Sequence, residues 1–228
     1  MIMKTHSFLL FAFFSLLFCS CDGMYDNINA YYGEGETNYI AKVDSVSTKA
    51  GHNRVQFTWK VNTDPRIRDL NVTWDEGAKE VTVPIEFSSL DENRYCTVII
   101  DPVEEGAHIF KLYHTGNGDK SIPTEAEANS YGAQYEAGLT PRPIRSVTLD
   151  KGIVTIVWRT VVENCEVEIS YSNAEGGTSK LSADPTALST VIADALPGGA
   201  FSYVSTYLPE EGAIDTFRIE SETLHFPE

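Results

Sequence analysis

Apolar and polar residues alternate along most of the chain, and a period of two is typical of β-strands with one buried face. In RVQFTW, for example, Val55, Phe57 and Trp59 share one face, opposite Gln56 and Thr58. Turn-forming segments such as KAGHN and DEGAK separate these runs. The pattern predicts strands, rich in β-branched and aromatic residues, near residues 39–46, 54–61, 70–74, 80–85, 94–100, 110–114 and 122–128.

The pattern then occurs a second time. RSVTLDKGIVTIVWRTV has a strand, a glycine turn and an alternating run with Trp158, as AKVDSVSTKAGHNRVQFTWKV has with Trp59. Further strands are predicted near residues 165–171, 180–182, 187–193, 201–208 and 215–226. Between the two halves, Pro141 and Pro143 stiffen the chain. A single large barrel would not explain this repeat.

We therefore predict an all-β fold of two tandem β-sandwiches of the immunoglobulin or fibronectin type III kind. The first would span residues 39–136, the linker 137–143 and the second 144–228. Each half resembles a fibronectin type III module through the tryptophan that ends its second strand. The second half adds the PGG turn that begins at Pro197. Phe201 stands where that family normally has a tyrosine, and the first half lacks the PG turn, so the strand topology stays open.

The N-terminal segment predicts export. Lys4 is followed by the apolar run SFLLFAFFSLLF, which is too short to span a bilayer and fits a signal peptide at residues 1–20. Small Ser20 before Cys21 resembles a bacterial lipobox, so we predict that Cys21 is the lipid-attachment residue of a lipoprotein. Residues 21–38 would form a lipidated tether, whose apolar spacing also fits a short helix. A plain secreted protein and a retained anchor helix are the alternatives.

Composition narrows the range of partners. The chain has 17 basic and 33 acidic residues and a formal net charge of −16. An acidic surface repels phosphate backbones, so a nucleic-acid partner is not expected. Of the two cysteines of the folded part, Cys165 falls on the apolar face of CEVEISY and is expected to be buried. The sequence therefore predicts ordinary packed cores rather than a disulfide framework.

No catalytic or metal-binding motif emerges from the sequence. His52, His108, His114 and His225 are scattered without metal-ligand spacing and are interpreted as solvated. The acidic pairs Glu104–Glu105 and Glu210–Glu211 lie beside glycines and are interpreted as solvated loop tips. We expect no enzyme activity, no cofactor and no metal site.

One strand suggests a binding surface. In AFSYVSTYL, Phe201, Tyr203 and Tyr207 share a face, and aromatic rings can stack on the C–H surfaces of sugars. These three residues are the candidate ligand-binding residues. The alternative is that the aromatic face is the inner face of a sandwich strand and belongs to the core.

The mature chain resembles a family of uncharacterised two-domain surface lipoproteins of gut-type Bacteroidota, often encoded beside glycan-uptake systems. The segments that carry the resemblance are GETNYIAKVDSV, DPRI, YGAQY, RPI and YLPEEGAIDTF. The resemblance implies a lipid-anchored location in the outer membrane, at the cell surface. It also implies an accessory function, glycan binding for a polysaccharide-uptake system, with oligosaccharide and a membrane transporter as partners. The alternative is a structural or adaptor lipoprotein that contacts other envelope proteins. Asp44–Val46 also resembles a short O-glycosylation signal of that bacterial group.

Overall fold

The computed structural model describes residues 39–228, so the predicted signal peptide, Cys21 and the whole of the predicted tether lie outside the described residues. The first half of this range contains two facing sheets. Short 3₁₀ turns occupy Asp75–Gly77 and Phe87–Ser89. The strands are β1 (Asp44–Ala50), β2 (Val55–Lys60), β3 (Asp69–Trp74), β4 (Lys79–Pro84), β5 (Tyr95–Ile100), β6 (Gly106–Gly116), β7 (Asp119–Lys120) and β8 (Thr124–Ser130).

The second half has the same kind of elements after one short helix, α1 (Ala133–Gly138). Its strands are β9 (Ile144–Asp150), β10 (Ile153–Trp158), β11 (Cys165–Ser172), β12 (Thr178–Ala183), β13 (Ser189–Ile192), β14 (Ala200–Tyr207), β15 (Phe217–Glu220) and β16 (Leu224–His225). All the strand pairs within these sheets are antiparallel.

The two halves have one topology. In the first, a sheet of order β1-β2-β5 faces a sheet of order β4-β3-β6-β7, with β8 paired to β6. In the second, β9-β10-β13 corresponds to the smaller sheet, and β12-β11-β14-β15 to the larger, with β16 paired to β14. The prediction of an all-β chain with two sandwiches is confirmed, and the repeated tryptophan strands, β2 and β10, occupy the same place in each.

Each sandwich is filled by the inward face that the alternation predicts. In β2, Val55, Phe57 and Trp59 are all buried, and their cluster extends to both sheets of the first sandwich. A separate cluster forms around Ile156 and Trp158 of β10. Residues Ile40–Glu228 nevertheless pack as one unit. The boundaries at residues 136 and 144 stay predictions, and α1 lies across the first of them.

Some predicted strand limits are wrong, for local reasons. The first strand begins at Asp44 rather than residue 39, and a bulge with Ser45 at φ 51° interrupts its pairing with β2. The predicted strand at 215–226 is divided between β15 and β16. There Ser221 Oγ accepts a hydrogen bond from Tyr203 N at 2.9 Å, so a side chain replaces a backbone partner of the ladder.

Candidate functional site

The predicted aromatic platform lies in the core of the second sandwich. Phe201 and Tyr203 are only 2% and 6% exposed, whereas Tyr207 is half-buried. The Phe201 ring stacks on Phe226 with centroids 4.5 Å apart, and Tyr203 meets Trp158 edge-on at 5.5 Å. A buried ring presents no face to a sugar, so the ligand-binding prediction is wrong for Phe201 and Tyr203. Burial of the aromatic face inside the sandwich is the alternative that the sequence left open.

The tyrosine hydroxyls of this face hold the linker instead. Tyr203 Oη donates to the carbonyl of Arg142 at 2.8 Å, and Tyr207 Oη donates to the carbonyl of Thr140 at 2.7 Å. Ser205 Oγ, between them on β14, accepts from Arg142 N at 2.8 Å. Burial raises the pKa of both tyrosines, which keeps them protonated as donors. Three alternate residues of one strand thus fix the segment that joins the sandwiches.

The linker also inserts a charged side chain into the second sandwich. Arg142 is fully buried, and its guanidinium carbon lies 4.9 Å from the ring centroid of Trp158. Its nitrogens donate to the carbonyls of Thr160 at 3.2 and 3.3 Å and of Ala187 at 2.8 Å. A buried cation is costly unless its donors are satisfied, so these carbonyls stabilise one linker conformation.

A loop of the second sandwich reaches the first one. Residues 208–216 connect β14 to β15, and in this loop the Asp215 carboxylate accepts from Arg54 Nε at 2.8 Å and Nη2 at 2.6 Å. It also accepts from His52 N at 2.8 Å, and Ile214 N donates to the Ala50 carbonyl at 2.8 Å. The hydrogen bonds from Arg54 lower the pKa of Asp215, against the opposing effect of burial.

Gly51 permits this close approach. A Cβ atom at Gly51 would lie 2.6 Å from Asp215 Oδ2 and 2.9 Å from the Ile214 side chain. The close approach of the neighbouring sandwich therefore requires the glycine of the predicted KAGHN turn.

Glu210, in the same loop, makes a second polar contact with the first sandwich. Its Oε2 accepts from Asn129 Nδ2 and from Tyr131 Oη, both at 2.9 Å. Burial, followed by the neighbouring Glu210 carboxylate, raises the pKa of Tyr131 to about 12. The interpretation of Glu210 as a solvated loop tip is therefore wrong, because its carboxylate is held by two donors.

Four rings complete the contact. His52 lies 4.9 Å from Phe217, Phe217 lies 5.0 Å from Tyr135 of α1, and Tyr135 lies 4.9 Å from Tyr131. Aromatic pairs at these distances are attractive beyond the apolar area they bury. We refer to these rings together with Arg54, Glu210 and Asp215 as the junction.

The helix that carries Tyr135 is fixed by the first sandwich. Glu105 accepts from Gln134 N at 2.8 Å and from Tyr135 N at 2.6 Å, so it binds the free amides at the start of α1. Burial opposes ionisation of Glu105, but these amide bonds together hold its pKa below the ordinary value. Glu105 is thus not a solvated loop tip.

Sequence reasoning did not identify the junction. Five of its seven residues fall in YGAQY and YLPEEGAIDTF, two of the segments that carry the family resemblance, whereas His52 and Arg54 lie in and just after the KAGHN turn. The available signal was the concentration of acidic and aromatic residues in two segments that lie between the predicted strands or at their ends. Partners such as Arg54 and Asp215 are 161 positions apart, so alternation within a strand could not pair them.

The remaining candidate groups do not assemble into a reactive site within residues 39–228. In this range, no three histidine, cysteine or acidic side chains are arranged to hold a metal ion. His114 is buried rather than solvated, with Nδ1 2.8 Å from the Ala41 carbonyl, and burial lowers its pKa. Cys165 is buried, as expected. None of the described helices is both long and apolar enough to span a membrane.

The chain matches the sequence model of a known family. The sequence model of DUF4998, described as a domain of unknown function, matches residues 21–217. The chain belongs to the DUF4998 family. In this DUF4998 chain the matched range includes α1, Arg142, Glu210, Asp215 and Phe217. A search of curated proteins found no match.

Three similar solved structures are of chicken proteins. The FN1–FN3 domains of chicken CNTN1 are 13% identical, cover 83% of this chain and 68% of their own, and give a TM-score of 0.45. A two-domain fibronectin type III segment of chicken tenascin is 16% identical, with coverage of 81% and 97% and a TM-score of 0.32. The chicken interferon gamma receptor alpha chain is 10% identical, with coverage of 83% and 100% and a TM-score of 0.32. Identities this low carry no function from one protein to another.

Proposed function

We propose that this DUF4998 chain is a non-catalytic envelope lipoprotein whose two sandwiches act as one adaptor module for other proteins. The junction is the observation that carries the proposal. Relative motion is the usual behaviour of linked domains unless their interface restrains it. Here an ion pair, a group of aromatic rings and a linker held by β14 all restrain it. Such a pair presents surfaces of both sandwiches at a constant spacing, as an adaptor requires.

Glycan capture, the function put first from the sequence, needs an exposed aromatic face. Phe201 and Tyr203 do not provide one, because both pack in the core. The glycan hypothesis then depends on the family resemblance alone, whereas the adaptor hypothesis has the junction in its favour. The adaptor is therefore the function that we propose.

The proposal keeps the predicted location. The adaptor would be anchored in the outer membrane through acylated Cys21 and displayed at the cell surface, where envelope proteins are its partners. The apolar run before Ser20 and Cys21 supports this location. Labelling of cells with a fatty-acid analogue tests it: Cys21→Ala should abolish the label, and a label that persists in this variant would contradict the anchor.

Two measurements separate the adaptor from glycan capture. A soluble form that begins at Asp22 should bind no sugar on a glycan array. A photo-reactive residue introduced on an exposed strand of the anchored protein should form a discrete adduct with an envelope protein in intact cells. Glycan binding that free sugar competes away, together with the absence of any protein adduct, would overturn the adaptor proposal.

A further inference from the structure

Two neighbouring hollows lie on the first sandwich. The larger has a volume of about 460 Å³ and lies where Glu127 and Asn129 of β8 meet Glu210 of the junction. The smaller, of about 300 Å³, lies beside Lys111 of β6. Both are lined by Ile109, and we refer to the two together as the Ile109 groove.

Ile109 is the apolar contact point of this groove. Its side chain is 58% exposed, more than any other large apolar side chain within residues 39–228. It lies on β6, which has neighbours on both sides, and it pairs directly with Glu127 of β8. One exposed isoleucine is ordinary on a protein surface. An exposed isoleucine between two hollows offers a ligand an apolar surface flanked by polar walls.

The two hollows differ in charge. Glu127 and Glu210 line the larger one, and no lysine or arginine is among the described residues that line it. In the smaller one, Lys111 is accompanied by Glu76, and Lys111 Nζ lies 3.6 Å from Glu125 Oε1. Negative charge without a matching cation is therefore concentrated in the larger hollow. A positively charged group is the ligand that complements it.

We propose that the Ile109 groove binds an extended polypeptide segment of the adaptor's partner, with a lysine or arginine near Glu127 and Glu210 and an apolar side chain on Ile109. In an extended chain, residues two positions apart lie on one face, about 7 Å from each other, which suits this pair of contacts. The inference rests on the proposed adaptor function and names the chemistry of its partner.

Other ligand classes fit the groove less well. A sugar site would need an open ring face, and no phenylalanine, tyrosine or tryptophan is among the described residues that line the larger hollow. In the smaller hollow, Lys120 Nζ already lies 3.8 Å from the centroid of the Tyr113 ring. A metal ion is not supported, since no suitable group of ligands occurs within residues 39–228.

Peptide titration tests the groove. The probes are an N-acetylated, C-amidated peptide of alternating Lys-Ser-Val-Ser units and the same peptide with Glu for Lys. They are added to the soluble form that begins at Asp22, and backbone amide shifts are followed by NMR. The lysine peptide should shift amides of β6 and β8, and the glutamate peptide should not bind. Ile109→Thr, which keeps a β-branched residue on the strand, should weaken binding about 10-fold.

Charge variants separate local recognition from general attraction. Glu127→Gln should weaken binding about 3- to 5-fold. Glu175→Gln removes the same charge from an exposed turn of the second sandwich and should leave the affinity unchanged. The proposed peptide site would be refuted if Glu127→Gln and Glu175→Gln weakened binding equally. It would also be refuted if Ile109→Thr bound the lysine peptide as tightly as the wild type, or if the lysine peptide did not bind at all. If only the groove proposal is wrong, the protein still cross-links to envelope proteins in cells. If the adaptor proposal is wrong, the cross-link is absent but the lysine peptide still binds.

Discussion

Replacement of Asp215 by asparagine probes the junction with little change of shape. Asp215 Oδ1 accepts from Arg54 Nη2, and Oδ2 accepts from Arg54 Nε and from His52 N. Asparagine removes the charge and retains only one oxygen. Its amide nitrogen then faces a donor, either a nitrogen of Arg54 or His52 N. Asp215→Asn therefore loses the ion pair and leaves at least one donor opposite another donor.

The expected cost follows from the exposure of the pair. Hydrogen bonds to charged groups contribute about 1.5–3 kcal/mol each when buried, and solvent reduces this value. The side chains of Arg54 and Asp215 are 36% and 19% exposed, so most of the gain is screened. We expect a total loss of about 2 kcal/mol, which for about 190 folded residues lowers Tm by about 5 °C.

The stability lost in Asp215→Asn should decrease as the pH falls. Because the folded pKa of Asp215 is lowered, its contribution to stability is complete above the ordinary aspartate pKa of about 3.9. The contribution disappears as the pH falls through the lower folded pKa. The difference in unfolding free energy between wild type and Asp215→Asn should therefore be largest near neutral pH and shrink below about pH 4.

Urea unfolding at neutral and acidic pH measures both effects. Asp150→Asn makes the same chemical change at an exposed position of β9 and should shift the unfolding free energy by less than about 0.5 kcal/mol. A loss below about 0.5 kcal/mol for Asp215→Asn at neutral pH, or an equal loss at every pH, would refute the reasoning.

Three further predictions concern the rest of the fold. Tyr203→Phe and Tyr207→Phe each remove one hydrogen bond from a tyrosine hydroxyl to the linker, and each should lower the free energy of unfolding in urea by about 1 kcal/mol. An unchanged unfolding free energy in both variants would mean that these hydrogen bonds do not hold the linker. Trp59 Nε1 is buried without a hydrogen-bond partner among the described residues, and the hydroxyl of Val98→Thr would be placed to accept from it. Val98→Thr should therefore stabilise the protein by up to about 1 kcal/mol, and a lower Tm would contradict this. A fragment that ends at residue 138 should still melt cooperatively by circular dichroism, since the first core is complete in itself; a non-cooperative melt would show that the second sandwich is required.

The sandwiches could be predicted because alternation and turns are local signals. Trp59 and Trp158 end equivalent strands, and each pattern gave the correct buried face around its tryptophan. The expectation for Val98→Thr comes from the same repeat, since Thr190 Oγ1 accepts from Trp158 Nε1 at 2.9 Å and Val98 has the equivalent place in β5.

The function of the aromatic strand could not be predicted from alternation alone. In β14 the two faces carry Phe201 and Tyr203 on one side and Val204 and Thr206 on the other, and both sets suit a core. Which face turns inward depends on the opposite sheet, where Trp158 contacts Tyr203. The alternation correctly placed Phe201 and Tyr203 on one face of the strand, but it did not show that this face is buried.

The junction was missed for a different reason. Its contacts join loops that are far apart in sequence, and an acidic residue beside a glycine is usually solvated. Only the folded chain brings Glu210 to Tyr131 and Asp215 to Arg54. Helix α1 was missed because it has six residues, too few for a clear helical period.

The central claim is that the junction makes the two sandwiches one rigid module. Backbone amide residual dipolar couplings, measured in weakly aligned solution for the form that begins at Asp22, test it most directly. Couplings from β1–β8 and from β9–β16 should fit a single alignment tensor in the wild type. Two tensors of clearly different magnitude in the wild type would show independent motion of the sandwiches and contradict the account.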